Sequence, residues 1–173
     1  MIKTPPYLKK GDTVAITCPA GYMPKAKAQT CIDTLQQWGF EVMVGKTLGS
    51  KSKNYFSGPD EFRLNELQAM LDDSSIKAIL CGRGGYGVSR IIDQLDFTRF
   101  KKNPKWIIGF SDITVLHAHI FTNYKISSLH APMAAARPAS FTPASERPKT
   151  CAVRMCSDCC SMPWHGPCRS NEL

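Results

Sequence analysis

The chain has 173 residues, 43% of them hydrophobic, and a formal net charge of +8, which suits one ordinary folded domain with a basic surface. No apolar run is long enough to span a bilayer, and the first residues lack the apolar centre of a secretory signal. We therefore expect a cytoplasmic protein without a membrane partner. The basic residues are scattered rather than interleaved with aromatic ones, which argues against nucleic acid as a partner.

Strand and helix patterns alternate from the start of the chain to about residue 130. Strands are predicted at 13–17, 41–44, 78–81, 106–108 and 126–129, and helices at 25–38, 60–71, around Ile91 to Leu95 and at 113–123. This order predicts an α/β fold, a mostly parallel sheet flanked by helices of the flavodoxin-like or Rossmann-like type. Ligands of such folds lie beyond the carboxyl ends of the strands, where loops 18–24, 82–87 and 109–112 are expected.

The pattern stops after Ala136, and the remaining stretch holds five prolines and five of the eight cysteines. We therefore expect a domain at 1–136 followed by an aberrant tail at 137–173, either translated out of frame or a disordered extension. A zinc site built from Cys156, Cys159, His165 and Cys168 is a third hypothesis for the tail. The cysteines outside the tail, Cys18, Cys31 and Cys81, have apolar or small neighbours and are expected to be reduced thiols, buried or half-buried.

A glycine-rich loop follows the third predicted strand, with glycines at 82, 84, 85 and 87. Glycines leave backbone N–H groups uncovered, so a loop of this kind in front of a helix can hold an anion or an oxyanion. The spacing also satisfies the dinucleotide fingerprint G-x-G-x-x-G, although that motif belongs after the first strand of its fold. A tight turn with a purely packing role is the alternative.

Ser111 lies between the fourth predicted strand and its helix, in the stretch Gly109-Phe110-Ser111-Asp112. A serine there is placed like the nucleophile of a strand–turn–helix elbow, with the helix N-terminus behind it. Serine or aspartate at a helix start is also a common N-cap, and by itself this stretch favours the cap. The neighbouring glycine loop shifts the balance, because acyl transfer needs a nucleophile and N–H donors at one edge of the sheet.

These motifs together resemble the LD-carboxypeptidase family of serine peptidases, which includes murein tetrapeptide carboxypeptidases and microcin C immunity proteins. The similarity covers residues 5 to 136 and is carried by four stretches in the family's order: 5–20, 82–87, 109–114 and 130–133.

The resemblance implies that Ser111 attacks the carbonyl of an L,D-peptide bond and that the amides of Gly85 and Asp112 form the oxyanion hole. We expect Arg83, Gly84 and Tyr86 to contact the substrate, a murein or related small peptide. It also implies peptide recycling in the bacterial cytoplasm, no cofactor, no metal, and a possible homodimer.

In this family the catalytic His and Glu come from a separate C-terminal domain, and no such domain is recognisable in the sequence. His117 and His119 lie in the helix after Ser111 and are expected to have packing or surface roles, whereas His130 could face the cleft. A serine without a base is a weak nucleophile, so we expect the chain as written to hydrolyse its substrate poorly. Two other hypotheses stay open: a nucleotide- or phosphate-binding domain using Gly82 to Gly87, and a non-catalytic fragment.

Overall fold

The structure, a computed structural model, describes residues 1–50 and 55–135. Five parallel strands form one sheet in the order β2-β1-β3-β4-β5. Their bounds are Thr13–Thr17 for β1, Glu41–Val44 for β2, Ile76–Cys81 for β3, Trp106–Gly109 for β4 and Leu129–His130 for β5. The α/β fold with a parallel sheet, predicted from the alternating pattern, is confirmed.

Helices cover both faces of the central strands. The α-helices are Gln29–Gln37 (α1), Asp60–Asp72 (α2), Thr98–Lys102 (α3) and Ile113–Tyr124 (α4). Alternate residues of β1 and β3 point to opposite sides of the sheet, so Ile16 and Leu80 pack towards α1, whereas Ala15 and Ile79 pack towards α2, α3 and α4. The result is one apolar core on each face, as expected for parallel strands.

The two edge strands are less covered by helices than the inner strands. Met43 and Val44 of β2 and both residues of β5 are exposed. Strands β2 and β5 lie at the borders of the sheet. The helices pack over the inner strands and therefore cover the border strands less. The fifth strand also begins later than predicted, since Ile126 forms only an isolated bridge with Lys3.

The helix predicted around Ile91 to Leu95 is wrong. Two short 3-10 turns, Val88–Arg90 and Ile92–Gln94, follow the glycine loop instead. Their apolar side chains are nevertheless buried in the core, so apolar spacing alone could not distinguish tight turns from a helix. The first helix likewise starts at Gln29 after a 3-10 turn at Lys25–Ala28, and the short helix α3 was not predicted.

Among the residues that the structure describes, no helix is long and apolar enough to cross a membrane. Cys18, Cys31 and Cys81 are free and buried, as predicted. The predicted domain boundary at 136 and the zinc hypothesis for the tail fall outside the described residues.

Candidate active site

Three loops meet at the carboxyl edge of the sheet because β1, β3 and β4 are direct neighbours. Thr17 pairs with Cys81 at the ends of β1 and β3, and Leu80 pairs with Ile108 near the ends of β3 and β4. Loops 18–24, 82–87 and 109–112 therefore leave the same edge side by side. The amide of Gly21 in the first loop donates to the carbonyl of Gly84 in the second, at 3.2 Å.

Ser111 forms the sharp turn between β4 and α4. Its φ is +62°, a left-handed conformation that residues with a side chain adopt at a cost. The residue is exposed, and α4 begins two positions later at Ile113. The strained turn presents the side chain at the end of the sheet with a helix N-terminus behind it, which is the geometry of a nucleophile elbow.

The N-cap alternative for Ser111 and Asp112 does not describe this turn. Asp112 occupies the cap position of α4, but no side-chain capping hydrogen bond is made there. Its carboxylate Oδ2 instead accepts a hydrogen bond from the amide of Val88, at 2.9 Å. The aspartate thus connects the start of α4 to the end of the glycine loop.

Gly84 lies directly against Ser111. A Cβ built on Gly84 would be 3.0 Å from the Cβ of Ser111 and 3.2 Å from its Oγ. Any side chain at 84 would therefore press on the serine hydroxyl. Only glycine lets the backbone of this loop approach so closely.

Gly85 requires glycine for a second reason. Its φ is +107°, and a Cβ there would overlap the hydroxyl of Tyr55. The tyrosine ring covers the loop, and the guanidinium of Arg83 lies 5.4 Å from the centre of that ring. Arg83 also donates to the carbonyl of Tyr22, at 2.9 Å. An aromatic ring and a cation therefore lie at the glycine loop, whose Gly84 is against Ser111.

Tyr86 is 58% exposed, with its ring centre 6.1 Å from that of Phe56. The structure thus brings Ser111, Asp112, Gly84 and Gly85 together, while Arg83 and Tyr86 project from the loop as exposed side chains. An exposed phenol and an exposed guanidinium are groups able to contact a polar or anionic peptide.

His117 and His119 of α4 both pack against neighbouring groups rather than facing Ser111. His117 is buried and its Nε2 donates to the carbonyl of Gly109, at 3.0 Å. Burial holds the pKa of His117 below its usual value. His119 stacks on Phe97 with ring centres 5.2 Å apart, which confirms its packing role.

His130 is exposed in β5, with its ring centre 6.2 Å from that of Phe110. Within residues 1–50 and 55–135, no hydrogen bond joins a histidine to the Oγ of Ser111. The described part of the chain therefore presents a serine elbow without a bonded base. Nor does it group three His, Cys, Asp or Glu side chains as a metal site would.

The glycine loop does not have the structure that the nucleotide-binding hypothesis requires. In the dinucleotide motif the phosphates lie at the N-terminus of a helix that follows the glycines. Here the glycine loop leads into the 3-10 turn Val88–Arg90, and no α-helix begins there.

Two residues beside the loop were missed by the sequence reasoning, Tyr55 and Arg63. Nothing in the sequence around Tyr55 indicates that it would cover Gly85. For Arg63 a signal existed: it precedes the inward-facing Leu67, Met70 and Leu71 of α2 by four, seven and eight residues. A charged residue in a core position of a helix indicates a buried partner.

We expect Ser111→Gly to be more stable than Ser111→Ala by about 0.5–2 kcal/mol, because glycine relieves the left-handed φ. Urea unfolding of both variants gives the difference. Ser74 is an exposed serine with no positive φ, so Ser74→Gly should instead be less stable than Ser74→Ala. The same ranking at both positions would refute strain at Ser111.

We expect Gly85→Ala to lower the free energy of unfolding by about 2–4 kcal/mol, from the positive φ and the clash with Tyr55 combined. Gly11 is the control, since its φ is +87° and nothing lies within 4 Å of a Cβ there. Gly11→Ala should cost only about 1 kcal/mol. Equal losses in urea unfolding would show that Tyr55 does not press on Gly85.

Comparison with known proteins gives one family. The sequence profile of the LD-carboxypeptidase N-terminal domain matches residues 14–131. A Bacillus subtilis protein named probable murein peptide carboxypeptidase is 40% identical over 129 residues, covering 75% of this chain and 40% of that protein. The murein tetrapeptide carboxypeptidase of Pseudomonas aeruginosa is 31% identical over 122 residues, covering 70% of this chain and 39% of that protein.

A solved structure of the microcin C7 self-immunity protein MccF, in complex with aspartyl sulfamoyl adenosine, superposes with a TM-score of 0.70 at 26% identity. The match covers 83% of this chain and 42% of that one. The chain thus spans less than half the length of the relatives it matches. It belongs to the LD-carboxypeptidase family, and the matched residues correspond to that family's N-terminal domain.

Proposed function

We propose that residues 1–136 are the nucleophile-bearing domain of a serine carboxypeptidase that cleaves an L,D-peptide bond, and that 137–173 form an aberrant tail. The observation that carries the proposal is the strained turn at Ser111, with the backbone of Gly84 against its hydroxyl. A left-handed, exposed serine between a parallel strand and a helix is costly to hold in place. Strained residues of this kind cluster at active sites. Lys125, at φ +56°, adopts the same conformation as the C-cap of α4, whereas Ser111 precedes a helix, where no cap requires it.

In the proposed reaction the Oγ of Ser111 attacks the carbonyl carbon of the scissile bond. A bond forms between Oγ and that carbon, and the carbonyl oxygen becomes an oxyanion. The amides of Gly85 and Asp112 donate to the oxyanion, and the N-terminus of α4 adds positive potential. Breaking the C–N bond releases the terminal D-amino acid, whose amine takes up the proton that the serine lost. Water then hydrolyses the acyl-enzyme.

The proton transfers need a base, and we assign that role to the His and Glu that the family places in its second domain. Two of the three histidines within the described residues are committed elsewhere, His117 to the carbonyl of Gly109 and His119 to the ring of Phe97. The third, His130, is exposed in β5 and has no hydrogen bond to Ser111. We therefore expect the serine of this chain to be correctly placed and weakly activated.

A murein peptide is the substrate class we propose. Relatives covering part of this chain are named murein peptide and murein tetrapeptide carboxypeptidases. The exposed Arg83 in the glycine loop and the net charge of +8 would favour a ligand that carries a terminal carboxylate. No metal or cofactor is needed for this chemistry, and we place the reaction in the cytoplasm, in a protein able to form homodimers.

Covalent labelling tests whether Ser111 is a nucleophile. An alkyl fluorophosphonate should modify Ser111 at least about tenfold faster than any other serine, because we expect its hydroxyl to face the oxyanion donors proposed above. Peptide mapping by mass spectrometry locates the adduct. Ser111→Ala should abolish the fast labelling, whereas Ser74→Ala, which removes an exposed serine before β3, should leave it unchanged. Labelling that survives Ser111→Ala would refute the assignment.

Peptide turnover tests the proposal that the 173-residue chain supplies no effective base of its own. Incubation of the 173-residue protein with a murein tetrapeptide should release the terminal D-amino acid at least about a thousandfold more slowly than a relative carrying both domains, since triad residues act as a unit. Release is measured by chromatography of the free amino acid. Turnover at the relative's rate would show that this chain supplies its own base. Nucleotide binding unaffected by Ser111→Ala would favour the alternative function.

A further inference from the structure

The peptide bond between Gly87 and Val88 is hydrogen-bonded on both sides by charged side chains. On one side, Nη1 of Arg63 in α2 donates to the carbonyl of Gly87, at 3.0 Å. On the other side, Oδ2 of Asp112 at the start of α4 accepts from the amide of Val88, at 2.9 Å. A single peptide group at the end of the glycine loop thus joins two helices that the chain places far apart.

Arg63 is fully buried, which is unusual for a guanidinium. The same Nη1 also donates to the carbonyl of Pro19 in the loop after β1, and Nη2 pairs with Asp60. The ring of Phe56 covers the group at 5.0 Å. Arg63 therefore links loop 18–24 to loop 82–87 from its buried position in α2.

Burying a charge is costly, and an apolar side chain at this inward-facing position of α2 would avoid the cost. Nη1 and Nη2 of Arg63 donate to two loop carbonyls and one carboxylate, whereas its Nε is buried without a hydrogen-bond partner among the described residues. The buried guanidinium therefore serves to position the loops rather than to fill the core. Asp112, the residue that follows Ser111, holds the same peptide group at its N–H.

We propose that Arg63 and Asp112 are positioning residues that fix the 87–88 peptide and, through it, hold the Gly84 and Gly85 backbone against Ser111. This inference rests on the proposed function, because it gives the fixed loop a use as the oxyanion-binding element. A peptide group between a cation at its carbonyl and an anion at its amide is polarised by both, and each hydrogen bond strengthens the other.

The test compares Arg63→Met with Arg90→Met. Arg90 is a matched control, since its guanidinium pairs with the same Asp60 and lies 5.4 Å from the same Phe56 ring, but it is exposed and its side chain does not reach the 87–88 peptide. Asp112→Ala removes the acceptor for Val88. Arg63→Lys and Asp112→Asn keep a donor or an acceptor and are the conservative rescues.

Two readouts are taken on the whole 173-residue chain. Amide hydrogen exchange at Gly84, Gly85 and Val88 reports how firmly the loop is held. Fluorophosphonate labelling of Ser111 is resolved into reversible binding and the covalent step. The rate of the covalent step reports whether the fixed loop supports attack by the serine. We expect Arg63→Met and Asp112→Ala to speed exchange of these amides and to slow the covalent step, each by about tenfold or more, as for loss of a hydrogen bond to a charged group. Exchange in β1 and β3 should stay unchanged.

Arg90→Met should lie within about twofold of the unmodified protein, and the two conservative variants should recover part of the loss. Loop exchange and labelling in Arg63→Met equal to those in Arg90→Met would overturn the proposal. So would a uniform rise in exchange that includes β1 and β3, since that marks a general structural role. If Arg63→Met does not fold, Asp112→Ala and the conservative pair decide.

The two proposals fail in different ways. Absence of labelling at Ser111 in the unmodified chain would reject the serine as nucleophile, and the exchange measurements would still decide whether Arg63 and Asp112 hold the loop. Normal labelling with no effect of either variant would reject the positioning residues alone.

Discussion

The left-handed turn at Ser111 is the constraint on which the carboxyl edge of the sheet depends. A φ of +62° at a residue with a side chain is stable only when its surroundings hold it in place. Strand β4 fixes the turn on one side, with the carbonyl of Gly109 held by the amide of Ala131 and by His117. Helix α4 fixes it on the other, and Gly84 leaves the space above it free. These contacts come from three parts of the chain, namely β4, α4 and the glycine loop. Together they hold the turn in the conformation that exposes Ser111.

Loops are usually the most mobile parts of an active site, but the glycine loop of this protein is hydrogen-bonded to neighbouring helices and to the loop after β1. Loop 82–87 is held by Gly21 from β1's side, by Arg63 from α2 and by Asp112 from α4. These elements in turn rest on a core that covers both faces of the central strands. A site of this kind needs little rearrangement when charge develops on a substrate, which is the condition for effective electrostatic stabilisation.

Much of this arrangement could be predicted from the sequence. Apolar runs such as Ile107 and Ile108 specify buried strands, and a serine and four glycines after neighbouring strands specify the edge where they meet. The turns after Gly87 could not be distinguished from a helix, since Val88, Ile91 and Ile92 are buried in either conformation. The roles of Tyr55 and Arg63 depend on contacts between distant segments, which local patterns do not encode. The strain at Ser111 is a backbone property that becomes visible only when φ is known.

The strand order has a consequence for how the chain acquires its shape during synthesis. Strand β1 lies inside the sheet, flanked by β2 and β3, and β4 and β5 each add to the outer side of the strand before. A chain emerging from its amino end can thus pair β1 with β2 first and then extend the sheet in one direction, without waiting for a distant segment to fill a gap. Parallel pairing is slow because its loops are long, and open strand edges invite association with other chains. Sequential growth keeps the number of open edges at two throughout, and the serine elbow forms only when β4 joins near the end.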